Sequence, residues 1–359
     1  MAALDTLLVA LKENRGSDLH LAAGSPPRMR VKGNLDPIEG QGALTDAALR
    51  DLLGGLVTPE QWAEYEAGGD LDFAYGLPGV ARFRANYLVQ ENGAAAVFRI
   101  IPEEIQSAEQ LGLPEPITRL ADLQKGLVLV TGPTGSGKST TLAAIIHRIN
   151  TTHSKHIVTI EDPVEFVHQN QQSVLSHREV GSHTQGFGPA LRAAIRQDAD
   201  VVLVGEMRDR ETIALAITAA EMGMLVFGTL HTNNAAKTID RIIDAFPAKE
   251  QNQVRLSLSE SLAAVVSQLL VPTADAKGRC AVHEILLRTS ALPNVIREGK
   301  IAMLNSLIEA GRAQGMQTMD DTLFALAKAG RIRPADAYMK ATHKARFEAI
   351  ISPDEVTAA

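Results

Sequence analysis

Hydrophobic positions take two textures along the chain. Over roughly the first hundred residues they come as short alternating runs at 18–21, 28–31, 70–75, 82–88 and 94–100, separated by Gly/Pro turns. Alternation of period two is the mark of half-buried strands. Ahead of these runs, Leu4, Leu7, Leu8 and Leu11 recur at i, i+3, i+4 and i+7, which predicts an amphipathic surface helix. With two further helical stretches, residues 1–100 read as a small α+β domain.

At Ile101 the alternation stops, and a polar stretch runs to Leu113-Pro114, so residues 101–114 are expected to be a linker. From 115 to 359 the texture is that of an α/β domain. The runs at 126–130 (GLVLV), 156–160 (HIVTI), 201–204 (VVLV) and 225–230 (LVFGTL) are almost wholly apolar. Strands covered on both faces by helices look like this. Between them lie helical patterns such as 212–222, with Asp209 placed to cap its start and Gly223 to end it. The last eighty residues read as mainly helical.

Composition narrows the class. The chain has 359 residues, 45% of them apolar and 21% charged, enough for a sizeable core in about two domains. Aromatics are only 4%, so that core must rest on aliphatic side chains. A single cysteine, Cys280, excludes a disulfide scaffold and a four-cysteine zinc ribbon, and a reducing, cytoplasmic setting is expected. No apolar run reaches the ~18–20 residues of a membrane span, so membrane contact is expected only through a partner. The net charge of −7 argues against sequence-independent nucleic-acid binding, and no nucleic-acid partner is expected. Six of the ten histidines fall between His147 and His183, without the spacing of a zinc site.

The strongest chemical signal is Gly132-Pro133-Thr134-Gly135-Ser136-Gly137-Lys138-Ser139, followed by Thr140, a G-x-x-x-x-G-K-[ST] sequence between a strand and a helix. Its glycines let backbone N–H groups turn inward around phosphate oxygens, where the helix N-terminus adds partial positive charge. Lys138 then reaches the β- and γ-phosphates, and the Ser139 hydroxyl is placed to ligate Mg²⁺. ATP with Mg²⁺ is the expected cofactor pair.

Such a site needs a carboxylate at the end of a neighbouring strand to polarise water or hold the hydrated metal. Glu206, just after the run 201–204, is the candidate, with Gly205 where an aspartate is usual. Glu161 and Asp162 end the run 156–160 and face the same crevice if the strands are parallel. His231 ends the run 225–230, placed to sense the γ-phosphate. Cations for the developing phosphate charge are sought in Arg82, Arg84 and Arg99 of the first domain, of which Arg82 and Arg84 share a strand face.

With these residues placed, the chain resembles the type IV pilus retraction ATPases of the secretion/assembly ATPase superfamily. Ser17-Asp18-Leu19-His20-Leu21, Pro26-Pro27 and Arg30-Val31 match its opening. The phosphate loop, the acidic stretch 159–166 (TIEDPVEF, the Asp box), 203–212 (LVGEMRDRET, an atypical Walker B) and 228–235 (GTLHTNNA, the His box) follow in order. Residues 240–244 and Phe246-Pro247 come next, then 291–298 (ALPNVIRE) and Gly315-Met316-Gln317-Thr318-Met319.

The resemblance implies a PAS-like N-terminal domain joined to a RecA-like core, a homo-hexameric ring, and ATP held between the two domains. It makes Glu206 the catalytic Walker B residue and Glu161 an essential acid, and it places Arg82, Arg84 and Arg99 in the region that donates arginines. It also implies an inner-membrane platform protein as partner, and retraction of pili as the work done. One position departs: Met224 stands where many members carry a histidine, which leaves His231 alone in the His box. An extension or type II secretion ATPase is the nearest alternative, but these commonly carry a four-cysteine zinc insert. An accessory retraction ATPase is another.

Overall fold

The computed structural model describes residues 3–31, 33–101 and 104–351. Pro102 and Glu103 of the expected linker, and residues 352–359 of the expected second domain, lie outside the described residues. The chain forms two compact units, Met1–Glu104 with Asp162–Val167, and Ile105–Glu161 with His168–Ala359. Expectation from sequence did not place the short segment Asp162–Val167 with the first unit.

In the first unit, strands β1 (Asp18–Ala22), β2 (Arg28–Val31), β3 (Asn34–Pro37), β4 (Asp70–Leu77), β5 (Ala81–Gln90) and β6 (Gly93–Ile101) form one antiparallel sheet. Its order is β3-β2-β1-β6-β5-β4. Helix α1 (Ala3–Glu13) buries Leu4, Leu7, Leu8 and Leu11 as its spacing predicts. Helices α2 (Asp46–Gly54) and α3 (Pro59–Gly68) begin at Thr45 and Thr58, whose hydroxyls accept backbone N–H groups at each N-terminus. Thr58 and Gln61 complete a reciprocal capping box.

Alternation along β5 decides the two faces of this sheet. Phe83, Ala85 and Tyr87 are fully buried, and Tyr87 packs edge-on to Tyr65, Phe73 and Phe98. Arg82 and Arg84 point the other way, where Arg84 lies opposite Arg99 and Arg99 opposite Asp18. The few aromatic residues are thus concentrated in the smaller core, where each adds large apolar area.

The second unit is built on a seven-stranded sheet of β7 (Gly126–Thr131), β8 (His156–Glu161), β9 (Val174–Glu179), β10 (Val201–Val204), β11 (Leu225–Leu230), β12 (Leu262–Pro272) and β13 (Arg279–Leu287). The order is β13-β12-β7-β11-β10-β8-β9, parallel except for the β12–β13 hairpin. Helices α4 (Glu115–Thr118), α5 (Lys138–Thr152), α6 (Phe187–Ala194), α7 (Arg210–Glu221), α8 (Ala235–Asp244) and α9 (Ala248–Ser261) cover it. A C-terminal group follows: α10 (Leu292–Arg297), α11 (Leu304–Ala310), α12 (Met319–Lys328) and α13 (Pro334–Lys340).

The apolar strands are covered on both faces because successive side chains serve separate cores. Leu127 and Leu129 of β7 join one, and Val128 and Val130 the other. The buried face of α10, Leu292, Val295 and Ile296, lies within the ALPNVIRE stretch. Four strands escaped the sequence reading: the short, largely exposed β3 of the first unit and three of this one. β9 is a polar edge strand, and β12 follows α9 with no Gly or Pro between them. β13 falls in a stretch expected to be helical, and its pairing with β12 overrides that local reading.

Candidate functional site

Strand β7 is where the sheet reverses its order, with β8 to β11 on one side of it and β12 and β13 on the other. Ligands in open α/β sheets sit beyond the carboxyl ends of the strands at such a switch point. The glycine-rich loop leaves β7 there and enters α5. The parallel registers Leu230↔Thr131, Val204↔Gly228 and Val204↔Ile160 bring His231, Gly205-Glu206 and Glu161 to the same edge.

Loop geometry follows from close approach. A Cβ on Gly132 would lie 2.2 Å from the Gln268 carbonyl oxygen and 2.6 Å from Ser136 Oγ. Gly137 has φ of 84° directly before α5, a left-handed turn that favours glycine. Lys138 Nζ donates to the carbonyls of Gly132 (2.8 Å) and Pro133 (3.1 Å), folding back over the loop. Ser136 Oγ is buried and has no hydrogen-bond partner among the described residues. An unsatisfied buried hydroxyl is costly, and an anion in the loop would supply its acceptor. That orphan, the glycine cradle and the 15-residue helix starting at Lys138 fit a phosphate group.

Glu206 is held by Arg208 and His231. Its Oε1 lies 2.7 Å from Arg208 Nε and 3.0 Å from His231 Nε2. Burial pushes the Glu206 carboxyl up, but the hydrogen bonds and charges of Arg208 and His231 outweigh it and hold the pKa below the ordinary range. The loop behind it is pinned to β11: Met207 N donates to Thr229 O at 3.0 Å, and Thr229 Oγ1 donates to Gly205 O. Met207 fills the space a side chain at Gly228 would need.

Gly205 has a steric explanation. Its N–H donates to Ile160 O at 2.8 Å. A Cβ there would stand 3.2 Å from that oxygen and 3.3 Å from Glu161 Cα. An aspartate at 205 would crowd Glu161.

Met224 immediately precedes β11, at the end opposite His231, and is buried in the main core. At the rise of an extended strand the two positions are about 23 Å apart. Within one chain, the residue at 224 belongs to packing and not to the site.

The arginines Arg82, Arg84 and Arg99 lie in the first unit. Arg84 makes a two-pronged pair with Asp72, and Arg99 Nε donates to Asp18 Oδ1 at 2.8 Å. Arg82 donates to Val164 O at 3.4 Å, so the tail of the acidic stretch packs with this unit while Glu161 ends β8 in the other. The Asp72 hydrogen bond, despite burial, raises the Arg84 pKa further, with Glu165 and Asp162 adding to it.

Sequence reasoning missed Arg208, Gln268 and His283. Arg208 was legible only as one charge in a charged turn. Gln268 and His283 sit in apolar strands, and a polar residue inside such a run was the only local signal.

A glycine-rich phosphate loop at a switch point, with a carboxylate and a histidine on the neighbouring strand ends, defines a RecA-like P-loop nucleoside triphosphatase core. The family model for type II/IV secretion system proteins matches residues 60–331, and the chain belongs to that family, among its type IV pilus retraction ATPases. The type IV pilus retraction ATPase PilT of Pseudomonas aeruginosa is 50% identical over 342 residues, covering 94% of this chain and 97% of that protein. The type IV pilus ATPase PilU of the same organism is 41% identical over 333 residues, covering 93% and 87%. A crystal structure of the pilus retraction motor PilT with bound ADP superimposes with a TM-score of 0.89 at 42% identity, covering 98% of this chain and all of that one.

Proposed function

We propose that this protein hydrolyses ATP to drive retraction of type IV pili. The observation that carries the chemistry is Glu206, kept ionised by Arg208 and His231 at a strand end beside the phosphate loop. The likeness to a named retraction ATPase over nearly the whole chain supports the process it serves.

Residues Gly132 to Thr140 would hold the nucleotide phosphates, with Lys138 turning from the loop carbonyls to the β/γ-phosphates. Ser139 and, through water, Glu206 would hold Mg²⁺, which supplies charge neutralisation on the phosphates. Glu206 acts as the base that orients the attacking water, and His231 fixes the Glu206 carboxylate and senses the γ-phosphate. Glu161 serves as the second acid of the site. Arg82, Arg84 and Arg99 supply cations to the developing phosphate charge once freed from Asp72 and Asp18.

The working assembly is a homo-hexamer. It acts at the cytoplasmic face of the inner membrane, on a platform protein of the pilus machine. Among the described residues no helix is long and apolar enough to cross a membrane. Higher identity to PilT than to PilU favours the principal over an accessory retraction motor. The single cysteine speaks against an extension or type II secretion ATPase with a four-cysteine zinc insert.

The test joins two measurements. The purified protein should turn over ATP, and a strain lacking the gene should show surplus surface pili with lost twitching. Bald cells would refute retraction in favour of extension.

A further inference from the structure

We infer that Gln268 is the positioning residue of the phosphate loop, reading its conformation through a buried hydrogen-bond relay that continues to His283. The inference rests on the nucleotide-binding role proposed for the loop.

Gln268 lies on β12, beside β7, and is almost completely buried. It touches both ends of the loop. Its backbone carbonyl occupies the space a side chain at Gly132 would need, 2.2 Å from that Cβ. Its Nε2 lies 2.9 Å from where a Cβ on Gly137 would stand. Two glycines of the motif are therefore required by the same residue.

The side-chain bonds fix its orientation. Nε2 donates to Ser136 O at 2.7 Å, and a carbonyl only accepts, so the amide nitrogen must face the loop. Oε1 then accepts from Thr141 Oγ1 on α5 (2.8 Å) and from His283 Nε2 (3.1 Å). His283 thus carries its proton on Nε2. Burial pushes the His283 pKa down to about 4, which keeps the imidazole neutral. The His283 carbonyl accepts from Gln317 Nε2 (3.0 Å) and Thr322 Oγ1 (2.7 Å), which ties β13 to α12 and to the 315–319 stretch.

Ser136, whose carbonyl Gln268 holds, also carries the buried unpartnered hydroxyl. When the loop closes on phosphate, a movement at Ser136 must be accommodated by Gln268. Fully satisfied buried networks of this kind are stiff, and losing one member leaves the others unpaired. Gln268 is therefore expected to set nucleotide affinity without touching nucleotide.

Replacing Gln268 by leucine removes all three side-chain bonds. Replacing it by glutamate keeps the shape, but the acid donates to Ser136 O only when protonated. His283 on β13 is the titratable group bonded to it, and Lys138 bonds the carbonyls of Gly132 and Pro133 in the same loop. Glu284, the next residue on β13, bonds Ala235 N instead.

The experiment measures Mg·ATP and Mg·ADP affinity and steady-state kinetics of the purified full-length protein between about pH 6 and pH 9, bracketing the range of buried acids. Q268L should bind nucleotide at least about tenfold more weakly, with the loss mainly in KM. Q268E should bind weakly at high pH and recover towards wild type as pH falls, while Q268L stays flat. Identical pH profiles for the two, or affinity of Q268L within about twofold of wild type, would overturn the inference. Melting curves by circular dichroism check folding. Should the Gln268 variants fail to fold, H283F decides: it leaves the Ser136 and Thr141 bonds in place but removes the His283 donor to Oε1, and unchanged affinity in it overturns the relay. A wild-type protein that binds no nucleotide would overturn the proposed function itself, whereas wild-type binding with unaffected variants overturns Gln268 alone.

Discussion

His231 Nε2 and Glu206 Oε1 are 3.0 Å apart, across the carboxyl ends of the adjacent strands β11 and β10. The pair makes the candidate base and the candidate γ-phosphate sensor one unit. E206Q keeps the shape and an acceptor oxygen but loses the charge. It is expected to lower ATP turnover at least about a hundredfold, the scale of a missing general base, while nucleotide binding persists. Turnover by purified E206Q beside its nucleotide affinity checks this. Unchanged turnover removes Glu206 from the mechanism.

Arg208 is the strongest of the groups that lower the Glu206 pKa. An acid whose pKa is depressed in the folded protein stays ionised until the pH falls through that lowered value. Activity that needs the carboxylate therefore persists further into acid than an ordinary glutamate would allow. R208A should move the acid limb of the pH–rate profile to higher pH, with little change above neutrality. A limb that stays in place would show that Arg208 does not tune this group.

At Gly205 a carboxylate would not help, although many P-loop nucleoside triphosphatases carry one there. G205D pushes a side chain into Ile160 O and Glu161, where even a Cβ would stand 3.2 and 3.3 Å from its neighbours. The substitution should cost about 1–3 kcal/mol, as overpacking does, and lower turnover by displacing Glu161. Thermal melting and turnover measured together distinguish the two effects. A fully active, undisturbed G205D would refute the steric account.

For Met224 the expectation is the reverse. M224H restores the residue common in the family, but at a buried position on the far end of β11 from His231. It should leave ATP turnover of the purified protein within about twofold and cost about 1–3 kcal/mol in stability, the price of burying a polar ring. A marked gain in turnover would show that residue 224 reaches the site.

The legible part of this protein was the part that local rules control. Buried parallel strands announced themselves as apolar runs, and Leu4, Leu7, Leu8 and Leu11 as a helix face. The glycine-rich loop was legible because its chemistry demands contiguous residues between a strand and a helix. The strand ends that carry Glu161, Glu206 and His231 followed, since parallel strands present their carboxyl ends at one edge. Gln268 and His283 were not legible, because their meaning comes from the pairing Gln268↔His283 and from a loop 132 residues away in sequence.

By itself, then, the sequence determined the kinds of element, the phosphate loop and the set of polar groups at the sheet edge, all of which depend on neighbours in the chain. Tertiary structure alone decided the strand order that puts β12 beside β7, the partner that holds Glu206 ionised, and the crowding that makes residue 205 a glycine. It also decided that position 224 is core and that Gln268 braces both ends of the loop. Each of these rests on contacts between segments distant in sequence, where side-chain volume and hydrogen-bond direction, and not local propensity, select the residue.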